Sequence, residues 1–177
     1  MVNVKSFKLY LFPVLFVLGM TFTHDNSGVR ANTRSLDTYL VVGKPVNKKE
    51  LDCLAKNIFF EARGEVYSGQ VAVARVVMNR IHHGFGDNTC QVVYQTDRKG
   101  NGTLCQFSWV CEKPKRLDKN DPAYIRAQDI AYRVLAFNAY SDRVDKNVLF
   151  FHSKHVNPRW RYKRFKQIGN HIFYAKI

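Results

Sequence analysis

Glu61 stands in the stretch FFEARGE (residues 59–65), directly after two phenylalanines and two residues before an arginine. A carboxyl group pressed against aromatic rings is disfavoured as an anion, and a protonated carboxyl is what a general acid needs near neutral pH. Arg63 pulls the other way, and a helix-end Glu paired with Arg63 is the plain structural alternative. Glu65 supplies a second carboxylate. Paired carboxylates act on glycosidic bonds at about 5–5.5 Å with retention or about 6.5–9.5 Å with inversion, a distance the sequence does not supply. Glu65 also reads as a cap or hydrogen-bond acceptor beyond the helix.

Three later stretches carry further candidates. Gln106, Phe107, Ser108 and Trp109 set aromatics beside amide and hydroxyl groups, which suits sugar rings with apolar faces and hydroxyl rims; core packing of Phe107 and Trp109 is the equal alternative. His152 and His155 are three apart and would bind a metal only on a helix, whereas they follow a strand-like run and precede Pro158, so no metal site is expected. Residues 159–166 (RWRYKRFK) interleave aromatics with cations, a pattern for tracking a polyanion or for a solvated strand and turn.

The elements that must position these residues follow from periodicity. Asn47 and Glu50 read as a capping box for a first helix, with Leu51, Leu54, Ala55, Ile58, Phe59 and Ala62 at helical spacing and Gly64 as its stop. Ser68 is the expected cap of a second helix running to Gly84, apolar nearly all round from Val71 to Val77 and hence the central buried helix. Two short elements are expected at TCQVVYQ and LCQFSWVC. Asp121 and Pro122 open a third long helix as N-cap and N1. VLFFH (148–152) and HIFYAKI (171–177) have strand composition and are expected to pair. Helices first and a small sheet late predict an α+β fold.

Composition sets the surroundings. A chain of 177 residues, 46% hydrophobic and 14% aromatic, builds one domain with a core and is not a disordered chain. Lys5 and Lys8 precede an apolar run at residues 9–22, too short to span a bilayer and interrupted by Pro13, which predicts an export signal over residues 1–31, with a cleavage site at Val29-Arg30-Ala31. If uncleaved, that run would tether the protein to the inner membrane. Residues 32–46 read as a linker and residues 47–177 as the functional domain. The formal charge of +14 favours anionic partners, which for an exported chain means cell-wall or membrane surfaces rather than nucleic acid. Four cysteines in an oxidising compartment suggest Cys105 with Cys111 and Cys53 with Cys90, the spacings lacking the CxxC pairs of a zinc site.

In order along the chain, NIFFEARGE (57–65), GQVAVA (69–74), VVMNRI (76–81), CQFSW (105–109), Phe151-His152, PRW (158–160) and IGNHIFY (168–174) resemble the cell-wall hydrolase family of the spore-cortex-lytic enzyme SleB, which includes many phage endolysins. The resemblance implies a lysozyme-like fold akin to lytic transglycosylases, with a helical lobe, a small β lobe and peptidoglycan glycan strands as the partner. It implies Glu61 as the single catalytic acid/base, acting between N-acetylmuramic acid and N-acetylglucosamine without metal or cofactor. Gln106, Phe107 and Ser108 would line the cleft, and Glu65, His152, Trp160 and His171 join them as expected substrate-side positions. A monomer in the periplasm or cell wall is expected. Two other readings stand beside it: a muramidase in which Glu61 and Glu65 direct water, and a non-catalytic wall- or polyanion-binding protein.

Overall fold

Asn47 is extended, and its side chain accepts from the Lys49 amide at 2.8 Å, which starts α1 (Lys48–Ala62). This computed structural model describes residues 43–100, 102–112 and 116–176, so the expected export signal and most of the expected linker lie outside the described residues. Glu50 does not complete the expected capping box. Its carboxylate instead accepts from the Thr89 amide at 2.6 Å and from the Thr89 hydroxyl, joining α1 to α3 (Thr89–Val93). A tertiary partner has outcompeted the local one.

α2 (Tyr67–His82) begins two residues earlier than expected, with Val66 rather than Ser68 at the N-cap position and no side-chain cap, so Ser68 lies inside the first turn. Likewise α1 ends through Arg63 in a right-handed conformation, and Gly64 does not adopt the left-handed cap that its position suggested. Residues 71–77 of α2 are all buried, as their apolar run required. One side of α2 (Val71, Ala74, Val77) joins Leu54, Ile58 and Phe59 of α1 and Tyr124 and Ile130 of α5 (Pro122–Phe137). Its other side (Ala72, Val73, Val76) meets Val148 and Phe173 of the sheet. Burying each such Val, Leu, Ile or Phe side chain contributes about 1.5–3 kcal/mol, so α2 is the axis on which both halves of the core depend.

Between α3 and α5 lie a two-stranded antiparallel hairpin, β1 (Thr96–Lys99) and β2 (Gly102–Cys105), and one turn of helix, α4 (Ser108–Cys111). Asp121 caps α5 by accepting from the Ala123 amide at 2.8 Å, with Pro122 in its first turn, as expected. The late sheet contains β3 (Val148–Ser153), β4 (Lys163–Ile168) and β5 (His171–Ala175), in the order β3-β5-β4 and antiparallel throughout. The expected pairing of 148–152 with 171–177 is therefore present, with β5 central. Partnered residues share a face: Arg164, Tyr174 and Phe150 form one row across the sheet, and Gln167, Ile172 and His152 another. Phe173 points the other way and is fully buried. The architecture is α+β.

Disulfides join Cys53 to Cys90 and Cys105 to Cys111, the expected pairs. The first ties α1 to α3; the second fastens α4 onto β2.

Candidate active site

Glu61 occupies the last turn of α1 and is half-buried. The packing of α1 against α2 brings the charge of Glu61 to bear on Arg80, which lies in the last turn of α2, two residues before His82. Arg80 is 3% exposed, an unusual setting for a guanidinium. It donates from Nε to the Leu149 carbonyl of β3 at 2.8 Å. With the Gln106 amide oriented oxygen-inward, that oxygen accepts from Nη1 and Nη2 at 3.1 Å each. The guanidinium also lies over the Phe107 ring at 5.0 Å and the Phe150 ring at 5.8 Å. Burial pulls the Arg80 pKa down to about 10, while the negative charge of Glu61 pushes it back up. Arg80 thus stays a cation at neutral pH, electrostatically tied to Glu61 and held by four separate contacts. Sequence reading missed it; its place in VVMNRI, at the end of an apolar helix run, was the available signal.

Asn57 lies one helical turn before Glu61 on the same face of α1 and is buried. Its Oδ1 accepts from Trp109 Nε1 at 3.1 Å, and the Trp109 ring stacks on Phe60 at 4.7 Å. α4 is therefore seated along α1 beside Glu61. Within that segment Phe107 is 3% exposed, so the core alternative describes this ring, and its service to the site is to support Arg80. Ser108 is exposed, its hydroxyl 3.3 Å from Glu112 Oε1.

Glu65 lies past the helix, where its Oε2 accepts from the Asn170 amide at 2.8 Å, and its backbone carbonyl accepts from Gln70 Nε2 at 2.9 Å. It fastens the turn between β4 and β5 to the end of α1. That is the acceptor role, one of the two that the sequence left open. His171, at the start of β5, is 8% exposed and sits edge-on to Phe151 at 5.1 Å. Burial pushes its pKa down, partly opposed by Glu65 and assisted by His152. His152 stacks on Tyr174 at 5.2 Å, with Nε2 3.0 Å from the Tyr174 hydroxyl and Nδ1 2.8 Å from the Ser153 carbonyl. Trp160 is 39% exposed and packs edge-on against His152 at 5.3 Å and Tyr174 at 5.7 Å.

The site residues fall into two groups. Glu61, Arg80, Gln106 and Phe107 converge where α1, α2, α4 and β3 meet. His152 and Trp160 belong to the outer face of the sheet, joined to the first group through Phe150, which Arg80 overlies. Among the described residues no group of three or more His, Cys, Asp or Glu is arranged to hold a metal ion.

Known proteins share this framework. The catalytic domain of the Bacillus cereus SleB protein superposes with a TM-score of 0.54 at 24% identity, covering 77% of this chain and 97% of that one. The catalytic domain of the germination-specific lytic transglycosylase SleB from Bacillus anthracis gives a TM-score of 0.56 at 25% identity, covering 76% of this chain and all of that one (100%). Both support the lysozyme-like α+β fold. In sequence, a spore cortex-lytic enzyme from Oceanobacillus iheyensis is 30% identical over 130 residues, which is 72% of this chain and 42% of that protein. One from Bacillus cereus is 28% identical over 159 residues, 88% of this chain and 56% of that protein. The chain thus spans about half the length of these relatives. The family model described as cell wall hydrolase matches residues 64–174, which covers Arg80, Gln106, Trp160 and His171 and begins three residues after Glu61. With most of the domain matched in sequence and the same fold beneath it, the chain belongs to the cell wall hydrolase family.

Proposed function

We propose that the protein is exported and cleaves the glycan strands of peptidoglycan between N-acetylmuramic acid and N-acetylglucosamine, with Glu61 as its single acid/base. The observation that carries this reading is the half-buried Glu61 carboxyl set against a buried, four-fold anchored arginine in a protein of the cell wall hydrolase family. Protonated Glu61 gives its proton to the glycosidic oxygen as the bond from C1 of muramic acid breaks. The C6 hydroxyl of the same sugar bonds to C1, and its proton returns to the Glu61 carboxylate. A nucleophile already held on the reacting sugar replaces a second carboxylate, because proximity supplies what a base and a positioned water would otherwise do. The product is an anhydro-muramoyl end.

Arg80 fits this cycle. Its cation steadies the carboxylate after proton transfer, and its anchors on β3 and Gln106 keep that charge from moving as the proton leaves and returns. Gln106, Ser108 and the face bearing His152 and Trp160 contact the glycan, and the buried His171 packs beneath that sheet. The anchorage of Glu65 at Asn170 supports one working carboxylate over two. The disulfides support an oxidising compartment, periplasm or cell wall.

The test is mass spectrometry of peptidoglycan digested by the protein and by its Glu61→Gln variant. Anhydro-muramoyl fragments from the parent, reduced by about 10²–10⁴-fold in the variant, are expected. Reducing ends without the anhydro mass would overturn the internal-nucleophile step and bring Glu65 forward as base. Intact glycan after incubation with folded parent would overturn the enzymatic reading.

A further inference from the structure

We propose that the outer face of the β3-β5-β4 sheet is a platform that reads the peptide-bearing state of the glycan, its aromatic rings taking sugar faces and its cations taking the carboxylates of the stem peptides. This deepens the peptidoglycan reading above and rests on it.

The face begins at the candidate active site. Phe150, the β3 residue overlain by Arg80, stacks on Tyr162 at 4.2 Å with the rings 7° from parallel. Trp160 packs against Phe150 at 6.0 Å and against Tyr174 at 5.7 Å, so four rings cover the outer side of the sheet without a break. Trp160 and Tyr162 are each 39% exposed, and with Phe150 and Tyr174 they form a contiguous aromatic patch of the kind that marks a binding surface. Apolar ring faces of this kind are the complement of the apolar faces of sugars.

Cations run through the same surface. Arg161 lies between Trp160 and Tyr162 in the chain, and Arg164 pairs across to Tyr174 and so belongs to the aromatic row. Residues 146–177 contain eight Lys and Arg and no Asp or Glu. The sheet therefore cannot balance its charge from within. Two acidic residues border it: Glu65 at the Asn170 turn, the far end from Arg164, and Asp145, which shares a cavity with Lys163 and Arg164.

The alternating amino sugars of peptidoglycan carry no charge once the lactyl carboxyl is amide-bonded to its peptide. Anions on the strand then reside on the stem peptides. A platform built for the sugars alone would need rings and hydrogen-bonding groups and no cations. Rings and cations interleaved at single-residue spacing suit a strand that presents a sugar and a carboxylate side by side.

The experiment is co-sedimentation of the Glu61→Gln variant, which retains the platform, with two forms of one peptidoglycan preparation: intact sacculi, and sacculi whose stem carboxyls are blocked as methylamides, which removes the anions and leaves the glycan and its cross-links in place. Binding to intact sacculi is expected to exceed binding to the blocked form by about fivefold, the combined effect of about two exposed ion pairs. Adding Arg161→Gln and Arg164→Gln should bring intact sacculi down to the blocked level, with circular dichroism unchanged. Equal binding of the starting variant to both forms overturns the proposal, whether or not the double substitution folds. Intact-sacculi binding undiminished in a folded double variant also overturns it. Cleavage by the unsubstituted protein separates the two levels: equal cleavage of intact and blocked sacculi removes only the stem-reading role, whereas no cleavage or binding of either removes the peptidoglycan reading as well.

Discussion

Two buried titratable groups govern the site at the scale of single residues. Burial holds the pKa of His171 below the ordinary imidazole value, with Glu65 opposing and His152 reinforcing the shift. A histidine depressed below its unfolded value of about 6.5 binds fewer protons folded than unfolded as pH falls through that value, so stability drops on acidification. Melting temperature should therefore decline below about pH 6.5, and His171→Gln should flatten that decline; a variant with an unchanged pH slope would show that other groups cause it. Arg80 makes the other case. Arg80→Met leaves the Leu149 carbonyl and the Gln106 amide oxygen without their donor, and a buried polar group so abandoned costs about 1–3 kcal/mol. Urea unfolding should show that loss, and Arg80→Lys should recover only part of it, because an ammonium cannot fill the guanidinium's fork. Glu61 stood out as a candidate from its aromatic neighbours and its motif. Arg80 did not, since an arginine at the end of an apolar helix reads equally as an exposed end, and only the closing of β3 over α2 buries it.

Elements were legible where a local signal had no tertiary rival. Asp121 with Pro122 started α5 as read, and the strand pair 148–152 with 171–177 formed. Gly64 follows the C-cap of α1 as read, though without a left-handed conformation, whereas the signals at Glu50 and Ser68 were overridden: Glu50 found Thr89, and α2 started at Tyr67 under Val66. Capping motifs are worth about 0.5–2 kcal/mol, small enough for one tertiary hydrogen bond to redirect. The β4–β5 turn makes the element-scale prediction. Gly169 has φ of 61°, and a Cβ there would collide with the Glu65 carboxylate that holds the Asn170 amide. Gly169→Ala should destabilise by about 1–3 kcal/mol through backbone strain and displaced Glu65. Chemical denaturation is the measurement, and loss of less than a few tenths would mean that the turn relaxes freely.

The described domain depends on α2 as a shared axis and on two covalent ties, one joining α1 to α3 and one joining β2 to α4. Cys53–Cys90 closes a loop of sequence separation 37, and Cys105–Cys111 one of 6. Loop-closure entropy assigns about 4 kcal/mol to the first and about 2 kcal/mol to the second. Replacing Cys53 and Cys90 by serine should therefore lower the melting temperature about twice as much as replacing Cys105 and Cys111. Thermal melts of the two double variants decide this, and a reversed order would mean that seating α4 matters more than joining α1 to α3.

By itself the sequence determined the α+β class, the central buried helix, the strands that pair and the disulfide partners, and it singled out Glu61 as the carboxyl to propose for acid chemistry. These depend on periodicity, composition and an ordered set of motifs, all of which act along the chain. Tertiary structure alone decided that Arg80 feels the charge of Glu61, that Glu65 is anchored to a turn 105 residues later, that Phe107 is buried under the Arg80 guanidinium, and that Trp160 and Tyr162 share a face with Arg164. Each of those joins residues far apart in the chain, and no local propensity records which buried group will be its partner.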